Sequence, residues 1–87
     1  MEKIIDKETV AKRVKEAIEH RGMNMTVVAD RADINRVTLY NRLDGIGEFT
    51  VSEMLGLKRA LRLSLFEFNY IFFDFEVEKS ATTKEAL

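Results

Sequence analysis

The sequence predicts an all-α fold: a compact bundle of five short helices, followed by a C-terminal extended segment or β-strand. Three observations carry this. Apolar residues recur at three- and four-residue spacing through most of the chain, the period of a helix with one buried side. Two helix-start signatures, Thr50 to Glu53 and Ser64 to Glu67, stand 14 residues apart. The chain has no proline, and its four glycines read as punctuation between helices.

Length and composition agree. At 87 residues, with 46% hydrophobic and 33% charged residues, the chain has the balance of one soluble globular domain. A domain this small buries only about 60–65% of its unfolded surface, so its core is thin and a partner can complete it. The predicted organisation is a helical domain over residues 1–72 and an extension over 73–87. No cysteine is present, which excludes disulfides, thiolate metal sites and a cysteine nucleophile, and fits a cytoplasmic protein. No apolar run approaches the roughly 18–20 residues of a membrane span, and the charged stretch Met1 to Arg13 does not read as a secretory signal.

The first helix is read from Val10, Val14, Ala17 and Ile18, with Asp6 as its cap and Arg21-Gly22 as its stop. Its other side carries Lys12, Arg13, Lys15, Glu16 and Glu19, a pattern expected of a solvated face. The second runs from Asn24, an N-cap residue, to Ala32, with Val28, Ala29 and Ala32 apolar. Asp33-Ile34-Asn35 reads as a turn, because Asp and Asn side chains bond nearby backbone, and Ile34 plugs it. The third helix runs from Arg36 to Leu43 with Leu39 and Leu43 inward, and Asp44-Gly45 stops it. The two capping boxes start a fourth helix over Val51–Arg62 and a fifth over Leu65–Phe72. Beyond it, Phe73, Phe75 and Val77 alternate with acidic residues, the period of a strand. A lone strand cannot satisfy its own backbone, so this segment either pairs with its copy in a homodimer or packs back on its own bundle. Ser80 to Leu87 reads as a frayed end.

Charge is uneven. Residues 1–63 hold 12 basic and 10 acidic residues, whereas residues 64–87 hold 2 and 5. Six of the eight aromatics lie between Phe66 and Phe75. No catalytic constellation stands out. His20 is the only histidine and sits at a helix end, where an imidazole is usually solvated. Gly45-Ile46-Gly47 lacks the spacing and lysine of a phosphate cradle. The carboxylates are scattered, and no cofactor, metal or small-molecule ligand is implied.

The informative stretch is Asn24 to Gly45. Two short helices joined by a three- to four-residue turn make a helix-turn-helix. Ala29 is small where the helices cross. Asp33 tolerates positive φ, Ile34 follows the turn, and Leu39 and Leu43 bury one face of the second helix. Its other face presents Arg36, Val37, Tyr40 and Asn41.

This stretch resembles the lambda-repressor-like helix-turn-helix family, especially small Cro-type regulators of phages and mobile elements in low-GC Gram-positive bacteria. The likeness runs from Met25-Thr26-Val27-Val28-Ala29 through Leu43-Asp44-Gly45, continues in Glu48-Phe49-Thr50-Val51-Ser52-Glu53-Met54, and extends to Leu61-Arg62-Leu63-Ser64 and Ile71-Phe72-Phe73. It departs in three places: Met25 replaces a common glutamine, Asp33 replaces the usual turn glycine, and Arg42 stands where an aliphatic residue is often buried. The resemblance implies a non-enzymatic transcription regulator, often dimeric, that binds double-stranded operator DNA. It places Arg36, Val37 and Asn41 at base edges and Asn24, Met25, Thr38 and Tyr40 at phosphates, and Arg42 is a further candidate phosphate contact. Phe73, Phe75 and Val77 are the candidate dimerisation residues. The acidic, aromatic C-terminal part suits a second reading, a protein-interaction module such as an antirepressor or antitoxin-like protein.

Overall fold

A computed structural model describes residues 5–73. The described residues form five helices: α1 (Lys7–Arg21), α2 (Met25–Ala32), α3 (Arg36–Leu43), α4 (Val51–Leu61) and α5 (Leu65–Phe72). No strand occurs among them.

Each helix begins where a side chain can satisfy free backbone amides. Thr9 donates its N–H to Asp6 Oδ1 at 2.9 Å, and bonding from the Thr9 hydroxyl first and this N–H second holds the Asp6 carboxyl below its usual range. Asn24 Oδ1 accepts the Val27 N–H at 2.9 Å. Thr50 and Ser64 complete both reciprocal boxes with Glu53 and Glu67. α1 stops at Gly22, whose φ of 65° is the left-handed geometry that glycine adopts without a Cβ penalty.

Three departures from the sequence reading have physical causes. α4 ends one residue earlier than expected, at Leu61, because Arg62 turns left-handed with φ 55° and its N–H closes back on Arg59 and Lys58. Gly56 is not punctuation. It lies mid-helix, where an ideal Cβ would stand 2.2 Å from the Ala32 carbonyl oxygen, so the bare backbone lets α2 and α4 pack in contact. Phe73 does not begin a strand. With φ −127° and ψ −13° it caps α5, donating its N–H to Asn69 O at 2.9 Å, and its ring lies edge-on to Phe68 at 5.8 Å. Phe75, Val77 and the rest of the expected extension lie outside the described residues.

The core draws on all five helices. Val14, Val28, Leu39, Leu57 and Leu61 are fully buried, each such side chain contributing about 1.5–3 kcal/mol of transfer free energy. Phe72 fills the space between α5 and the α3–α4 loop, meeting Phe49 edge-on at 5.8 Å and Phe68 at 5.2 Å. Polar ties join α1 to the later helices. Arg21 donates to the Leu61 carbonyl, which the end of α4 leaves open, and pairs with Glu67 at 3.1 Å. Arg13 leaves the face expected to be solvated: it is half-buried, donates to Tyr70 O at 2.7 Å and stacks over that ring at 4.0 Å.

Candidate nucleic-acid interface

The geometry of the α2–α3 unit follows from its turn. Asp33 adopts φ 60° and ψ 44°, ending α2 in the left-handed region that Asp tolerates better than most residues. The next N–H, of Ile34, then reaches back to Ala29 O at 2.9 Å, and the Ile34 side chain is buried. Asn35 restarts the chain as a helix, its Oδ1 accepting from Val37 N–H at 2.9 Å and Thr38 N–H at 3.3 Å.

α3 is thereby laid on the bundle along one stripe. Leu39 and Leu43 are buried, and α1 and α2 both pack against α3. The opposite side is open. Val37 is 67% and Tyr40 51% exposed, Arg36 is exposed, and Asn41 and Thr38 are half-buried. Spacing puts Arg36, Val37, Tyr40 and Asn41 on one face. An exposed valine flanked by an arginine, a tyrosine and an asparagine contributes nothing to this core; it is a surface with hydrogen-bonding reach and one apolar spot.

Arg36 does not wave freely. Its Nη1 donates to Thr26 Oγ1 at 3.1 Å, and both residues line an open notch of about 510 Å³ between α2 and α3. Four of its five N–H donors are left for a ligand. Asn24 is exposed, but its Oδ1 already caps α2, which leaves the amide NH₂ as its outward donor. Met25 is half-buried against the core and its thioether donates no hydrogen bond, so the group it offers outward is its backbone N–H at the start of α2. The Arg42 guanidinium, expected at a phosphate, lies 3.1 Å from Glu53, with both side chains mostly buried. Between Asn24 and Gly45 three arginines stand against three aspartates, so the motif has no net charge.

The sequence reading did not find Thr26 as the partner of Arg36 or Glu53 as the partner of Arg42. Glu53 was legible as a capping residue; its second role depends on how α3 and α4 pack. Among the described residues, no group of three or more His, Cys, Asp or Glu side chains could hold a metal ion, and no helix is long and apolar enough to cross a membrane. A further hollow of about 380 Å³ is lined by Val10, Phe49, Met54 and Phe72 together with the charged Asp6, Lys7, Glu8 and Glu48.

No family model matches the sequence, and no curated protein matches it. Solved structures do. The restriction-modification controller protein C.AhdI from Aeromonas hydrophila superposes with a TM-score of 0.66 at 18% identity, over 71% of this chain and 94% of that one. A point mutant of the restriction-modification controller protein C.Esp1396I gives a TM-score of 0.68 at 18% identity, over 98% of this chain and 99% of that one. The chain therefore has the all-α fold of two restriction-modification controller proteins.

Proposed function

We propose that this protein is a sequence-specific DNA-binding transcription regulator that acts as a homodimer and reads an operator in the major groove with α3. The observation that carries the reading is the outer face of α3: an eight-residue helix buried only through two leucines, offering Arg36, Val37, Tyr40 and Asn41 to solvent. The likeness in fold to two restriction-modification controllers supports it, as does the resemblance to small Cro-type regulators. In this reading Arg36 presents its guanidinium fork to guanine O6 and N7, Asn41 pairs with adenine N6 and N7, and Val37 meets a thymine methyl. Thr38, Tyr40 and the start of α2 at Asn24 and Met25 contact phosphates and set register.

Selection of sites from a random DNA pool tests this. The expected product is an inverted repeat whose half-sites lie about 34 Å apart, one helical turn. On that site Arg36→Ala and Asn41→Ala each weaken binding by about 1–3 kcal/mol and relax one base position, while non-specific binding hardly changes. A double variant that binds the site as tightly as the unmodified chain would show that α3 does not read DNA.

One observation favours a second reading, a protein-interaction module: Leu65 and Phe66 on α5 are 66% and 62% exposed. A gel shift titrated with salt separates the two, since DNA binding releases condensed counterions and therefore weakens as salt rises.

A further inference from the structure

We propose that Arg42 and Glu53 form a positioning clamp that fixes the roll of α3 on the bundle, so that Arg42 sets DNA affinity and specificity without touching DNA. The proposal rests on the DNA-binding reading above and assigns within it a role for a pair that no base or phosphate contact requires.

The pair is built with two prongs. Arg42 Nε lies 3.1 Å from Glu53 Oε1 and Nη2 lies 3.5 Å from Oε2, while Nη1 reaches the Ile46 carbonyl at 3.4 Å. The side chains are 21% and 16% exposed. Glu53 Oε1 also accepts the Thr50 N–H at 3.0 Å, so one carboxylate closes the first turn of α4 and holds the last turn of α3. The connecting loop lies directly on the guanidinium. Gly47 adopts φ 76°, a geometry that favours glycine, and an ideal Cβ there would stand 2.6 Å from Arg42 Nη1, so a larger residue would push the guanidinium from its place.

The mechanics follow from how little else holds α3. Two leucines on a single stripe leave a short rod free to roll about that stripe, and a roll of 10–20° misaligns bidentate contacts to base edges. Arg42, beside Leu43, reaches sideways to α4 and resists that roll. Pulling Arg42 outward to a phosphate would strand a mostly buried Glu53 carboxylate, which is costly.

Glu53→Gln and Arg42→Gln, made singly and together in the full chain and measured on the selected site across a salt series, test this. The carboxamide introduced by Glu53→Gln can keep the capping bond to Thr50, so the substitution removes the ion pair and spares the helix start. The clamp predicts that each single variant weakens specific binding by about tenfold with the salt slope unchanged, and that the double variant is no worse than either single one. Arg42→Lys, which keeps the charge and loses the planar fork, is expected to resemble Arg42→Gln. A phosphate contact predicts the reverse pattern: Arg42→Gln lowers the slope by about one, Arg42→Lys restores binding, and Glu53→Gln leaves binding intact or tighter. That pattern would overturn the clamp while leaving the DNA reading in place. If the unmodified chain enriches no DNA sequence at all, the DNA reading fails and the clamp with it.

Discussion

Glu67 shows how much a single side chain does in so small a domain. Its Oε1 accepts the Ser64 N–H at 2.9 Å, and the same carboxylate pairs with Arg21 from α1. The Ser64 hydrogen bond is the chief cause that holds its carboxyl below the usual glutamate range; partial burial opposes it, and Arg21 adds to it. A depressed folded-state value means stability that is present above the ordinary glutamate range and is lost as pH falls through the folded value. Glu67→Gln keeps the cap and removes the titration. Its melting temperature is therefore expected to change less with pH between 5 and about 3 than that of the unmodified chain. Parallel curves for the two proteins would show that the carboxylate contributes nothing pH-dependent. Asp33 makes a related point at the residue level. The turn demands left-handed backbone, and aspartate meets the demand in a place where glycine would do so without strain.

At the scale of the element, packing rather than propensity decides what is tolerated. Glycine costs an interior helical position about 1 kcal/mol relative to alanine, so Gly56→Ala ought to stabilise an isolated α4. In the bundle the added methyl meets the Ala32 carbonyl and must force α2 from α4. Gly56→Ala is expected to destabilise the protein by about 3 kcal/mol in denaturant unfolding. A variant as stable as the unmodified chain would mean that the helices separate at little cost. The capping boxes work in the opposite direction: Thr50 and Ser64 define their helix starts from local chemistry alone, which is why the starts of α4 and α5 are legible in the sequence.

At the scale of the whole molecule, the outer side of α5 is an exposed apolar surface among the described residues. Leu65, Phe66 and Tyr70 lie on it, spaced as one face. On the proposed DNA-binding reading, one α3 would read too few base pairs to select an operator, and a two-fold pairing of two chains would supply the second half-site. A second copy seated face to face on α5 is the occupant this argues for. Leu65→Glu combined with Phe66→Glu is expected to give a monomer in sedimentation velocity and to lower operator affinity at least tenfold, with melting little changed. An unchanged sedimentation coefficient would remove α5 from the interface and return attention to the Phe73, Phe75 and Val77 segment, where a chain truncated after Phe72 is the informative comparison.

How much of this was legible in the sequence depends on the range of the interaction. Helix number, helix starts, the left-handed turn at Asp33 and the inward pair Leu39 and Leu43 all follow from residues within four positions of one another, whose chemistry acts through local backbone amides and helical period. That is what the chain by itself determined: five helices, a helix-turn-helix, and which face of α3 looks outward. The tertiary structure alone decided the rest. Gly56 against Ala32, Arg36 on Thr26, Arg13 over Tyr70 and Arg42 on Glu53 join residues 10 to 57 positions apart. Such pairs are set by the angles at which helices cross, and those angles come from the fit of buried surfaces, which no short window of sequence records.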